Sequence, residues 1–449
     1  MTALELDTGM TAWILTSASL VLLMTPGLAL FYGGMTRAKS VLNMMMMSFG
    51  ALALVGVLWV IYGYSVAYGT DIGGLLGNPA DYFGMAGAMT VDAEAELPLL
   101  VDVGFQAVFA IITVALISGA IADRARFGTW MIFAGIWATL VYFPVAHWVW
   151  GEGGWIGDIL GAVDFAGGTA VHINAGAAAL ALALVLGKRL GFKREPMRPH
   201  NLPLVMLGAG LLWFGWFGFN AGSAYNADNT AGVAWVNTLV CTCAAILGWL
   251  LAERIRDGKP TSLGAASGAV AGLVAITPAC GALSPVGSII LGLVAGLLCA
   301  LAVGLKYKLN YDDSLDVVGV HLVGGLWGTI GIGFLATPNA PDAATGLFFG
   351  GGVDLLWRQI VGAVAVMIFS FVLAYAIGWA LHKTVGFRIT AEEEQSGIDE
   401  SEHAETAYDL GTIGGGLRAS YTAGGSGAGR TGTTTTDQGA TSTDQEVTA

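Results

Sequence analysis

Charge is the scarcest property of this chain: 11% of its 449 residues are Asp, Glu, Lys or Arg, against about 25% in an ordinary soluble domain. Water is therefore not its main solvent. Basic residues are the rarer sign, 19 against 32 acids, for a net charge of −13, which argues against nucleic acid as a partner. Cysteine is nearly missing, and all four lie in apolar runs. Cys241 and Cys243 stand two apart on a helix, face different directions, and read as small packing residues. There is no Gly-rich phosphate loop followed by Lys and Ser or Thr, no His pair at metal spacing, and no dinucleotide fingerprint attached to a strand. With no nucleophile or metal set, the chain does not read as an enzyme, and no cofactor or metal is expected. Residues 1 to 11 lack a basic n-region, so no cleavable signal peptide is expected either.

What the chain has is apolar length. Hydrophobic residues make up 55% of it, in runs of about 20 residues, enough for a helix to cross a hydrocarbon core of about 30 Å. The spans read as 12–34, 41–67, 98–122, 128–150, 165–187, 202–222, 230–252, 262–283, 285–305, 315–336 and 359–381. The fold class is thus an all-α polytopic membrane protein of eleven helices. Arg37, Lys39, Arg124, Arg126, Lys188, Arg189, Lys193, Arg194, Arg198, Arg254, Arg256, Lys259, Lys306, Lys308, Lys383 and Arg388 fall in one set of alternate loops, and only Arg358 in the other. By the positive-inside rule the N-terminus lies outside and the C-terminus in the cytoplasm of a multi-pass cell-membrane protein.

Sixty-seven glycines, many in spans 5, 8 and 10, predict close helix approach. Spans 1–5 and 6–10 start on opposite sides, so two five-helix halves related by inversion are expected, with span 11 peripheral. One chemical echo supports this division: Asp164 and His172 on span 5, Asp316 and His321 on span 10. Residues 1–390 read as the membrane domain, 391–410 as a cytoplasmic segment, and 411–449 as a Gly, Ser and Thr-rich tail unable to bury enough surface to order itself.

Ionisable groups inside apolar spans are costly, which makes His172 and His321 candidates for function. The span limits leave them at different depths, although a shift of either helix start would let them converge near the midplane. Trp216, Phe219 and Ser223 are spaced three and four apart and share one face of span 6. Trp150 closes span 4 at the same level, and Phe109 follows Gln106 by one turn on span 3. Aromatic faces attract small cations, and a hydroxyl accepts a hydrogen bond from one. Asp164, eight residues before His172, is most simply an N-cap for span 5, and Asp316 takes the same reading for span 10. Asn43, Asp102 and Asn174 read as interhelical hydrogen-bond partners.

DFAGGTAVHINAG from Asp164 to Gly176 resembles the ammonium transporter family (the Amt, Mep and Rh group), as do FYGGMTRAKSVLN from Phe31 to Asn43, FNAGSA from Phe219 to Ala224, and DVVGVH from Asp316 to His321. The chain looks most like a prokaryotic Amt from about residue 12 to 410. The resemblance implies ammonium or ammonia as substrate, methylammonium as its analogue, and a homotrimer with one pore in each subunit. It implies recruitment of the cation at Phe109, Trp150 and Ser223, a gate of Phe109 and Phe219, and pore histidines His172 and His321. Trp216 and Asp164 match pore-region positions. The segment EQSGIDESEHAETAY, from Glu394 to Tyr408, looks like the family tail that supports gating by a PII-type regulator, with Ala404 where members often have Gly. Ile398 and Tyr408 are its expected apolar anchors, and its acids are expected to face Lys188, Arg189, Lys193 and Arg194. An ammonium receptor that signals through this tail is the alternative expectation.

Overall fold

The computed structural model describes residues 6–90 and 95–408. Contacts divide the chain into Met1–Ala407 and Tyr408–Ala449, and the tail expected from 411 lies outside the described residues. The first unit is helical: α1 Thr8–Met35, α2 Val41–Tyr68, α3 Leu99–Ile121, α4 at 127–150, α5 Gly168–Leu186, α6 Leu202–Gly222, α7 Asn229–Arg256, α8 Ser262–Ile276, α9 Pro285–Leu309, α10 Val318–Leu335 and α11 Asp354–Thr384. Two short helices follow, α12 Ala391–Ser396 and α13 Ile398–His403. Among the described residues ten helices are long and apolar enough to cross a membrane.

Starts are set by side chains that satisfy the free N–H groups of a first turn. Asp7 caps α1, Asn201 α6, Asp228 α7, Thr261 α8 and Ser284 α9. The expected span 262–283 is shorter as a helix. α8 stops at Ile276 because Pro278 has no N–H to donate, and 277–283 is a run of turns. Those turns are still paired, since the Pro278 carbonyl accepts from Phe165 N–H at 3.1 Å and the Cys280 carbonyl from Asn237 at 2.9 Å.

Glycine sets how closely the helices approach. A Cβ at Gly208 on α6 would lie 2.3 Å from the Phe31 nitrogen on α1, and one at Gly292 on α9 would lie 2.1 Å from the Cys241 carbonyl oxygen on α7. Spans 5, 8 and 10 show the same closeness: a Cβ at Gly328 on α10 would lie 2.2 Å from the Ala275 carbonyl oxygen of α8, and one at Gly176 on α5 would lie 2.5 Å from the Leu322 nitrogen of α10. The outward faces stay greasy. Leu247 and Ile255 on α7, Leu301 on α9, and Ile368 and Val372 on α11 are exposed, as lipid-facing positions are. Helices α1, α3, α5, α6, α8 and α10 enclose a central cavity that carries both histidines.

Candidate functional site

Both histidines sit in π-helical turns, Gly168–Ile173 at the start of α5 and Val318–Leu322 at the start of α10. Such turns are frequent at functional sites. The Asp164 carboxylate accepts from the backbone N–H groups of Gly167, Gly168, Thr169 and Ala170 at 2.7 to 3.2 Å, which is the capping role expected of it. On α10 the expectation fails. Asp313 is the cap there, accepting from Val317 at 3.1 Å and Val318 at 2.8 Å. Asp316 has a left-handed backbone, φ 64°, and its carboxylate turns to the Lys306 ammonium at 2.6 Å. A signal for this was available: Asp164 precedes His172 by eight residues, and so does Asp313 precede His321.

Nδ1 of His172 lies 3.3 Å from Nδ1 of His321, with ring centroids 5.3 Å apart. The two depths therefore converge, and both rings are almost wholly buried. Neutral imidazoles facing in this way need one Nδ1 to donate and the other to accept. The cavity around them has room for about one water-sized molecule at a time, roughly 10 Å³. Apart from the histidines its walls are apolar, among them Leu28, Leu116, Leu212 and Val270.

Above His172 the column read from α6 is present. The His172 ring stacks on Trp216 at 5.4 Å and lies 6.2 Å from Phe219. Trp216 is held by its indole N–H, which donates to Thr277 Oγ1 at 2.8 Å, a partner the sequence did not reveal because it comes from the turn after α8. Phe219 and Phe109 face each other at 4.2 Å and 33°. Trp150 meets Phe109 edge-on at 6.1 Å, and its indole N–H donates to the Asp164 carbonyl at 2.9 Å. Ser223 donates its hydroxyl to the Phe219 carbonyl at 2.8 Å, which leaves its oxygen able to accept. Phe109, Trp150, Phe219, Ser223, Trp216 and both histidines thus form one continuous line.

The Ammonium Transporter Family model matches residues 12–408. The chain belongs to the ammonium transporter family. An ammonium transporter of Mycobacterium tuberculosis is 58% identical over 438 residues, covering 91% of this chain and 92% of its own. The crystal structure of Mep2 from Saccharomyces cerevisiae matches at TM-score 0.78 and 33% identity, over 86% of this chain and 89% of that one. A sensor Amt protein matches at TM-score 0.81 and 28% identity, over 88% and 98%. With this family and ten membrane-length helices, the chain is a multi-pass membrane protein.

Other polar groups of this family member resolve unevenly. Asn43 bridges elements as expected, donating to the Ala125 carbonyl at 3.3 Å. Asp102 accepts from Tyr64 at 2.7 Å and Tyr225 at 2.6 Å. Asn174 does not bridge helices through its side chain, which donates back to Ala170 one turn earlier at 3.1 Å. Its carbonyl takes that role, accepting from Ser370 on α11 at 2.7 Å.

At the opposite end from Ser223, α12 and α13 dock onto the bundle of the same chain. Asp399 accepts from Leu42 and Asn43 N–H at 3.0 and 2.8 Å and so caps α2. Glu402 accepts from Phe127 N–H at 3.0 Å, and His403 contacts Asn43 Oδ1 at 3.0 Å. Glu394 accepts from Leu190 N–H at 2.7 Å and pairs with Arg388 at 2.8 Å. Ile398 is buried as its anchor role requires. The expected acid partner Arg189 is taken instead by Asp312 and Asp123 at 2.9 and 3.1 Å, because those carboxylates are buried beside it. Ala404 ends α13 in the left-handed region, φ 55°, so the turn forms without Gly.

Proposed function

We propose that the chain transports ammonium across the cell membrane through a pore in each subunit. The observation that carries this is the line from Ser223 past the phenyl pair to the histidine pair, which lines a narrow, largely apolar cavity. Family membership and the printed names of its relatives support ammonium transport, a non-enzymatic role.

In this reading α8 with its following turns completes eleven spans, arranged as two inverted five-helix halves plus α11. The N-terminus is outside and the C-terminus cytoplasmic, so Ser223 marks the outer mouth. The matching capped turns at Asp164 and Asp313 support the inverted pair. Residues 1–390 form the membrane domain, 391–410 a regulatory segment that a PII-type protein engages, and 411–449 a separate tail. The unit is a homotrimer.

The physical problem is desolvation, since moving a bare monovalent cation into a dry passage costs many kcal/mol. Trp150 and Phe109 offer aromatic faces to the cation, and Ser223 accepts one of its N–H groups. Transfer of one proton there to water leaves neutral ammonia, for which the apolar walls cost far less. The phenyl rings of Phe109 and Phe219 close the way and must rotate to admit it. His172 and His321 then supply the hydrogen bonds that the apolar walls lack. Potassium has no proton to lose and stays outside.

The likeness to a sensor Amt protein favours a second reading, an ammonium receptor signalling through its tail. Radiolabelled methylammonium uptake into proteoliposomes separates the two. Saturable uptake is expected, and none would leave the receptor. A current recorded at fixed membrane potential decides whether the proton travels with ammonia.

A further inference from the structure

Three and seven residues before Phe109, the same face of α3 carries Gln106 and Asp102. Asp102 is partly buried. Its two oxygens accept from two phenols, Oδ1 from Tyr225 at 2.6 Å and Oδ2 from Tyr64 at 2.7 Å. Gln106 Nε2 donates to the Tyr225 hydroxyl at 2.8 Å and completes the chain. Among the described residues no Lys, Arg or His side chain pairs with Asp102. In its ionised form a carboxylate held by hydroxyl donors and matched by no cation places a net negative charge at this end of the passage.

Tyr225 connects that charge to the mouth. It follows Ser223 by two residues and has φ 62°, a conformation costly for a bulky side chain. Such strain persists where the surroundings over-determine it, and here the hydroxyl is held on both sides. Its ring meets Phe105 edge-on at 5.8 Å, and Phe105 meets Phe109 at 5.0 Å.

We propose that Asp102 is a second cation-attracting group of the outer mouth, and that Tyr225 is the positioning residue that ties it to the Ser223 turn and the phenyl pair. The ligand class is small monovalent cations, ammonium and methylammonium. Asp102 acts through its field, at about 10 Å along the helix from Phe109, so it raises cation occupancy without choosing among cations. The proposal rests on the outer-mouth reading of Ser223 given above.

The test is methylammonium flux by the full chain in proteoliposomes, comparing Asp102→Asn, Asp102→Glu, Tyr225→Phe and Ser223→Ala. Asn keeps the shape and one acceptor oxygen, and its amide N–H can donate to the second phenol, so the charge and one acceptor are lost while contact with both tyrosines can persist. Its half-saturation should rise about twofold to fifteenfold, the range a unit charge gives at this distance for effective dielectric constants between water (about 80) and protein edge (about 20). Maximal flux should fall by less than half-saturation rises, the ammonium to potassium ratio should hold, and Asp102→Glu should restore affinity. Tyr225→Phe should give a smaller rise. An unmoved half-saturation in Asp102→Asn, with Ser223→Ala shifted, would overturn this proposal and leave the mouth reading standing. No shift in either variant would overturn both. If Asp102→Asn does not fold, Tyr225→Phe decides, and an unchanged half-saturation there defeats the proposal.

Discussion

Facing imidazoles that share one proton between their Nδ1 atoms are inequivalent, although the helices that carry them begin alike. His172 Nε2 is buried without a protein partner among the described residues, so it is available to a molecule in the cavity. Replacing either ring removes an imidazole from a cavity whose other described walls are largely apolar. His172→Ala and His321→Ala should each fold and show strongly altered conduction or lost selectivity against potassium, as measured by paired ammonium and potassium fluxes. Unchanged fluxes in both would defeat the pore assignment. Along α6 the roles separate by one turn. Phe219→Ala should widen the closure and raise leak, whereas Ser223→Ala should weaken half-saturation with little loss of maximal flux. The reverse pattern for Ser223→Ala would make it part of the gate rather than of recruitment.

At the scale of the helix, the loop before α10 gathers more charge than any apolar run. Asp312 is buried; burial pushes its carboxyl up, but hydrogen bonds from Arg189 and the charge of Arg124 outweigh that and hold it at about 2. Its ordinary value is 3.8, so the folded state binds this proton more weakly than the unfolded chain. The stability it contributes is fully present above about pH 4 and fades as pH falls toward 2. Thermal midpoints in detergent should therefore be flat for this group from pH 7 to 5 and decline below 4. Asp312→Asn should reduce the decline and cost up to about 3–5 kcal/mol at neutral pH, because it leaves the buried Arg189 guanidinium with Asp123 as its remaining carboxylate. A variant as stable as the parent at pH 7 would show that the network contributes nothing.

These elements also show what a sequence makes legible. Long apolar runs were readable because a bilayer demands their length, and the α6 column because helical period fixes which residues share a face. Asp164 was readable as a cap because its acceptors follow it directly in sequence. Asp316 was misread because its partner, Lys306, lies on the preceding helix and competes for the carboxylate. The π-helical turns at both histidines had no local signature, since they depend on the packing that bends each helix start. The partners of the tail acids were misread for the same reason as Asp316: Arg189 was already engaged by buried Asp312 and Asp123.

For the whole molecule, the docked segment and the residues beyond it are expected to differ in consequence. Truncation after 390 removes the cap of α2 together with the contacts to Asn43, Phe127 and Leu190. Flux, or its coupling between subunits, should fall, and any response to a PII-type protein should vanish. Truncation after 411 keeps all of these contacts and should retain both flux and response. Reconstituted transport with and without the regulator compares them, and equal regulated flux from both would deny the segment a role.

The cap that Asp399 places on α2 has a consequence in time. Its two acceptor bonds reach across 357 and 356 residues, and synthesis proceeds at roughly 5–20 residues per second. The second helix therefore waits about 20–70 s after it leaves the ribosome before its first turn is closed. Until then the N–H groups of Leu42 and Asn43 are left to water, lipid headgroups or an assembly factor. A chain released early carries that open end permanently, marked by the very residues that completion would have covered.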